Sequence, residues 1–153
     1  MSPRWTLDPD VRRGRSVVHD LHAHLVFVTR TALGVVEELR RYRRNALNGA
    51  MLTRCEQIIT DVCAGLGAEL AEFNGEDEHV HLLVRYPPKL AISTLVNSLK
   101  GVSAHYLRKD FTERINRHLM HGHLWSPSYF AASCGGAPLA VVEEYIDRQK
   151  HPH

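Results

Sequence analysis

Two histidines separated by one residue, His79 and His81, stand in the apolar run "EHVHLLVRY" (78–86). Successive side chains of a strand point to opposite faces, so both imidazoles would leave the same side, their Cα atoms roughly 6.5–7 Å apart. From there they can converge on one metal ion. Val80, Leu82 and Val84 would face the other way, into a core. Near the C-terminus, "EEYIDRQ" sets Tyr145 and Gln149 four residues apart, one turn along a common helical face. A tyrosine can act as a nucleophile, and a glutamine oxygen can ligate a metal. Two histidines, a glutamine and a tyrosine gathered in one place would make a phosphoryl-transfer site. Each pair alone also has a plainer reading: packed histidines in a chain that holds eleven, and polar residues on a surface helix.

These residues need elements to position them. "SVVHDLHAHLVFVT" (16–29) is β-rich, with Leu21, Ala23, Leu25 and Phe27 at period two. A helical pattern runs from about Val35 to Leu66, with Gly49 a candidate break and Gly65 and Gly67 at its end. "AELAEFN" (68–74) reads as a strand, Gly75 and the acidic residues as a turn, and 78–86 as a strand stopped by Pro87-Pro88. Ile92, Leu95, Val96, Leu99, Val102 and Tyr106 recur at helical spacing, "HLMHGHLW" reads as a loop, and "SPSYFAAS" (126–133) as a short strand. Gly135-Gly136 makes a hinge before a helix that starts near Pro138 and carries Tyr145. The order β-α-β-β-α-β plus a final helix predicts an α+β domain, an antiparallel sheet with helices packed on it, ferredoxin-like or RRM-like. Residues 1–15, polar with Pro3 and Pro9, read as a flexible basic arm, and 16–153 as one domain.

The three cysteines, Cys55, Cys63 and Cys134, show no C-x-x-C spacing and read as buried thiols in a reducing compartment. No signal peptide opens the chain and no apolar run reaches the ~18 residues of a membrane span. The expectation is a cytoplasmic protein. Net charge is only +2, but of nineteen basic residues only Lys89, Lys100, Lys109 and Lys150 are lysines, so fifteen are arginine, the side chain suited to bidentate phosphate contact. Arg12, Arg13 and Arg15 form one cluster. Arg40, Arg43 and Arg44 would share one helical face, either a solvated face or a phosphate contact. Three further histidines, His118, His121 and His123, have no cysteine beside them and fit a loop better than a zinc site.

"HAHLVFVTR" (22–30), "HVHLLV" (79–84), "LKGVSAHYLR" (99–108), "LWSPSYFAAS" with Gly135-Gly136 behind it, and "YIDRQ" (145–149) resemble, in this order, the single-tyrosine HUH transposases of small bacterial insertion sequences. The resemblance runs from about Gly14 to Gln149. It implies that His79 and His81 are metal ligands, Gln149 a third ligand and Tyr145 the nucleophile. It implies Mg²⁺ or Mn²⁺ as cofactor and single-stranded DNA with hairpin ends as substrate. It also implies a homodimer whose active sites are shared between chains. Where the family usually carries Pro-Asp before its first histidine, this chain has Asp77-Glu78; Glu78 can still supply a carboxylate that orients an imidazole. Arg12, Arg13, Arg15, Arg30, Arg40, Arg43, Arg44 and Lys100 are the expected DNA contacts. The activity implied is cleavage and rejoining of single strands at insertion-sequence ends through a 5′-phosphotyrosine. Three other readings stand beside it: a hairpin-processing nuclease that does not transpose, a non-catalytic RRM-like single-strand binder, and a metal-dependent enzyme acting on small molecules. The second of these needs exposed aromatics on the sheet, and the strand offers only Tyr86.

Overall fold

A computed structural model of the chain describes residues 12–13, 18–19, 21–30, 47–76, 78–118, 123–133 and 144–148. The elements are β1 (Arg12–Arg13), β2 (Val18–His19), β3 (His22–Val28), α1 (Gly49–Gly65), β4 (Glu69–Gly75), β5 (His79–Arg85), α2 (Ile92–Asp110), α3 (Thr112–His118) and β6 (Phe130–Ser133). Residues 144–148 are helical. β1 pairs with β2 in a small ladder of its own, joining Arg12 to His19 and Arg13 to Val18. The main sheet has four strands in the order β4-β5-β3-β6, every pair antiparallel. Its two central strands are not sequence neighbours, which is the arrangement a β-α-β-β-α-β chain adopts when each helix crosses over the sheet. The expected α+β architecture is therefore the one the chain takes.

Strand alternation divides the sheet into two unlike faces. Ala23, Leu25 and Phe27 of β3 and Val80, Leu82 and Val84 of β5 turn to one side. There they join Met51, Cys55, Ile58, Ile59 and Cys63 of α1 and Leu95, Val96, Leu99 and Leu107 of α2 in the main core. α1 begins at Asn48, whose side-chain oxygen accepts from Met51 N at 2.8 Å. It ends at Leu66, followed by Gly67, whose φ of +75° is a backbone state that glycine adopts without strain. Burial pushes the Cys55 thiol up to about 12 and Cys63 up to about 11, so both are inert apolar side chains. Cys134 lies outside the described residues.

The apolar stripe of α2 departs from expectation. Tyr106 is exposed, with the Arg54 guanidinium 5.9 Å from its ring centre. Ser103 and Leu107 take the inner positions instead. Ser103 is tolerated there because its Oγ accepts from Trp125 Nε1 at 2.9 Å.

At the end of β4, Gly75 lies against α1. A Cβ built on it would run into the Leu52 Cδ2 methyl and sit 3.3 Å from Leu52 Cγ. Gly75→Ala is expected to cost about 1 kcal/mol, because the tip of the partly buried Leu52 must swing aside. Chemical denaturation checks this. The same substitution in a Leu52→Ala background should cost less than half as much, since the clash partner is gone.

Candidate active site

The other face of the sheet holds the candidate chemistry. His79 and His81 leave β5 on the same side, as their spacing predicts, with ring centres 5.0 Å apart and planes inclined by 59°. Register places Val28 of β3 opposite His79 and Val26 opposite His81. The turn before β5 is pinned by Thr29, whose N and Oγ1 both donate to the Glu78 carbonyl, at 2.8 and 3.1 Å. Glu76 N donates to the His79 carbonyl at 2.9 Å, and the Glu76 carboxylate lies 3.8 Å from His79 Nε2. A carboxylate at that distance favours an imidazole orientation that keeps a nitrogen turned toward it. The Glu76 carboxylate thus stands beside the histidine pair, and the Glu78 carbonyl ties the turn to Thr29.

His79 is buried and His81 half-buried. Burial pushes the His81 imidazole below its usual range; Glu76 opposes this and His24 reinforces it. An imidazole lowered in this way is neutral near pH 7 and keeps a lone pair for a cation. His22 and His24 of β3 share this face, a second His-x-His one strand away. Their period-two spacing carried that signal in the sequence. His22 Nε2 accepts from Arg85 Nε at 2.9 Å, so a guanidinium occupies that nitrogen.

Tyr145 lies on the same face. Its ring packs against a small cluster of Val26, Val28 and Ile146, and stands 5.6 Å from the Phe130 ring. Val26 and Val28 are the residues directly opposite His81 and His79, so the cluster on which Tyr145 packs includes the strand next to the histidine pair. Ile146 is buried, which fixes the helical residues 144–148 to the sheet of their own chain. The phenol oxygen is 3.1 Å from Ser128 Oγ. Burial pushes Tyr145 above the usual phenol range, and the Ser128 hydroxyl pulls it partly back.

His79 and His81 stand side by side on one face of the sheet, and Tyr145 packs on a cluster of that same face. Gln149 lies outside the described residues, as do Arg15, Arg40, Arg43 and Arg44, and only the backbone of Arg12 and Arg13 is described. Arg30 is half-buried at the end of β3, its N donating to the Leu124 carbonyl at 2.8 Å. Lys100 is turned inward: its Nζ donates to the carbonyls of Ser126 and Ser128 at 2.6 and 3.1 Å. Tyr86 packs on the main core, so it is not a stacking platform on the open face. Among the described residues, no three His, Cys, Asp or Glu side chains are arranged to hold a metal ion. Two imidazoles on one face still fit a divalent ion whose remaining ligands are amide, water or phosphate oxygens.

Residues 17–149 match the IS200-like transposases. The chain belongs to that family. The ISDra2 transposase TnpA of Deinococcus radiodurans is 29% identical over 140 residues, which is 92% of this chain and 91% of that protein. The IS200 transposase of Salmonella typhimurium is 26% identical over 109 residues, 71% and 70% of the two chains. A solved Deinococcus radiodurans protein assigned as a transposase has a TM-score of 0.73 at 27% identity, covering 90% of this chain and 97% of that one. A REP-associated tyrosine transposase, solved bound to a REP hairpin, shares the fold with a TM-score of 0.52 at 13% identity, over 89% of this chain and 68% of that one. The transposase resemblance read from the five motifs therefore holds, and DNA transposition and recombination are the family's class of activity. No helix among the described residues of this IS200-like transposase is long and apolar enough to cross a membrane.

Proposed function

We propose that this IS200-like transposase cleaves and rejoins single-stranded DNA at insertion-sequence ends through a 5′-phosphotyrosine on Tyr145. The observation that supports this reading is that Tyr145 packs on the cluster containing Val26 and Val28, the cross-strand partners of His81 and His79. A phenol oxygen there can attack a phosphate held at the histidine pair. The bond from phosphorus to the phenol oxygen forms and the bond to the 3′-oxygen breaks. The phenol loses its proton and the departing 3′-oxygen takes one up. The covalent link keeps the phosphodiester's energy, so a different 3′-OH can attack it and join new strands with no nucleotide cofactor.

His79 and His81, with Gln149, would hold a divalent ion, Mg²⁺ or Mn²⁺. When bound, such an ion offsets charge on the phosphate oxygens during in-line displacement. Imidazole donors suit Mn²⁺, whereas Mg²⁺ prefers oxygen and water. The covalent product has a polarity that tests the chemistry. DNA labelled on the 3′ side of the cut must carry its label onto the protein in a denaturing gel, while label on the 5′ side must not. Label following the opposite strand end, or no adduct in Mn²⁺, would refute the reading. Rejoining of a supplied 3′-OH strand separates a transposase from a nuclease that only processes hairpins.

Each chain has one such tyrosine, and excision must handle two ends, so the working unit is a homodimer. Sites shared between chains are compatible with the seat seen in the single chain. Exchanging an identical helix across a two-fold axis makes the same contacts between protomers. Complementation checks this. A mixture of His81→Ala and Tyr145→Phe chains, allowed to exchange subunits, should regain cleavage, because each mixed dimer then has one intact site. A dead mixture with mixed dimers demonstrated means that each site is built from one chain.

A further inference from the structure

Residues 124–128, which lead into β6, are anchored at several points. Trp125 Nε1 donates to Ser103 Oγ at 2.9 Å, and its ring meets Phe27 edge-on at 5.8 Å. Ser126 N donates to the Val28 carbonyl at 2.7 Å. Lys100 Nζ donates to the Ser126 and Ser128 carbonyls and lies 5.9 Å from the Tyr129 ring centre. Lys100 and Ser103 are three residues apart on α2 and so present to the loop together. Ser128, at the end of this series, is the residue whose Oγ lies 3.1 Å from the Tyr145 oxygen. Ser126 Oγ stands 3.5 Å behind it.

A lysine ammonium is strongly hydrated and usually keeps to water. Here two of its three donors go to carbonyls on either side of Pro127. Two of that ammonium's donors hold the loop.

We infer that Ser128 is the hydroxyl that orients the Tyr145 phenol for attack, and that Lys100 is a positioning residue that fixes Ser128 by gripping its loop. The inference rests on Tyr145 being the nucleophile. A ring on one helical turn can swing about two side-chain bonds. A hydrogen bond to a loop tied to α2 and β3 removes that freedom before substrate arrives. A hydroxyl that donates to the phenol oxygen also favours the phenolate, the form that attacks. An exchanged helix keeps the pair, because Ser128 belongs to the sheet side and Tyr145 to the helix.

Other titratable and charged groups stand on the elements of this face and on the phenol's own segment. They are His24 on β3, His79 and His81 on β5, Lys100 behind the loop, and Glu144, Asp147 and Arg148 on Tyr145's own segment, where Arg148 pairs with Glu144 at 2.7 Å. Ser128→Ala changes none of them, so its effect on the phenol reports the hydroxyl alone.

The test uses Ser128→Ala, Ser128→Thr and Lys100→Met in the full chain. Tyrosinate absorbance, taken as the difference from a matched Tyr145→Phe background, follows the phenol without DNA or metal. Ser128→Ala should move the phenol titration to higher pH and lower kcat about ten-fold, with KM within about two-fold. Ser128→Thr should restore both. Lys100→Met should move the titration and kcat in the same directions while DNA affinity stays within about two-fold. Ser128→Ala with an unmoved titration and wild-type kcat overturns the orienting role. Lys100→Met that leaves the phenol unmoved, weakens DNA binding and reduces the salt slope by about 0.7 makes Lys100 a phosphate contact and overturns its positioning role. Lys100→Gln stands in with the same readouts where the Met variant does not fold. A Tyr145→Phe chain that still forms an adduct would remove the nucleophile reading, while the titration result would stand by itself.

Discussion

Tyr145→Phe is expected to leave the protein folded and to end covalent capture of DNA. The lost atom is the phenol oxygen. The ring remains, and with it the packing against Val26, Val28, Ile146 and Phe130. What stability loses is one hydrogen bond to Ser128, about 1 kcal/mol, or a melting shift of about 2–4 °C for a chain this size. What catalysis loses is the atom that joins to phosphorus. Removing a nucleophile outright typically costs 10⁴-fold or more, roughly 10⁶ in the best-studied serine case. Strand cleavage in Mn²⁺ should therefore drop below detection while binding of the same DNA stays within a few-fold, since the phenol is one small part of the contact surface. Residual adduct on the Phe chain would mean that Tyr42, Tyr86, Tyr106, Tyr129 or another nucleophile does the work. The structure already disfavours two of these: Tyr106 stands on the exposed side of α2, and Tyr86 packs on the main core.

The site was legible where periodicity alone decides direction. Strand alternation separates Val80, Leu82 and Val84 from His79 and His81 without tertiary knowledge, and the structure puts the valines and leucine in the core and the imidazoles on the other face. The seat of Tyr145 was not legible in that way. Its neighbours Val26 and Val28 read simply as members of an apolar run, and nothing in the local pattern says that a helix 120 residues later covers them. Ser128 was invisible for a similar reason: a single hydrogen bond across 17 residues leaves no periodic mark.

Departures in the fold have physical causes of the same kind. The strand expected over 126–133 begins only at Phe130, because the preceding residues give their backbone groups to Val28 and Lys100. Pro127, with no N–H, could not have extended the ladder. α3 leaves little apolar mark because "TERINRH" is polar nearly throughout, and among its described side chains only Ile115 reaches the core. Tyr106 shares the helical spacing of the apolar residues of α2, but Ser103 takes the inner side through its bond to Trp125. A pattern read from apolar residues misses a buried hydroxyl that has found its donor. β4 was found despite a register shift between Leu70 and Glu72, which carries one extra residue past β5 and lets Leu70 and Phe73 both turn toward the core.

His81→Ala separates function from framework. The core face of β5 is made by Val80, Leu82 and Val84, and His81 is half-buried on the opposite face. Truncating a core side chain costs about 2–5 kcal/mol, but truncating His81 removes no core contact and should change metal-free stability by no more than about 1 kcal/mol. It also removes the burial of an imidazole that desolvation holds below its usual range. The loss falls on cation binding. A ligand that binds only the folded state raises stability by RT ln(1 + [L]/Kd), about 2.7 kcal/mol at a hundred-fold excess over Kd. Wild-type protein should therefore melt at a higher temperature in Mn²⁺, by roughly 5–10 °C, and the His81→Ala chain should gain little. Cleavage should fall by at least about 10²-fold at the same Mn²⁺ concentration, because one of two imidazole donors is gone. Leu82→Ala is the control, with a large metal-free loss and a retained Mn²⁺ increment. If His81→Ala instead melted far below wild type without metal and kept the increment, the histidine would be a packing residue, and the cation would have to sit elsewhere.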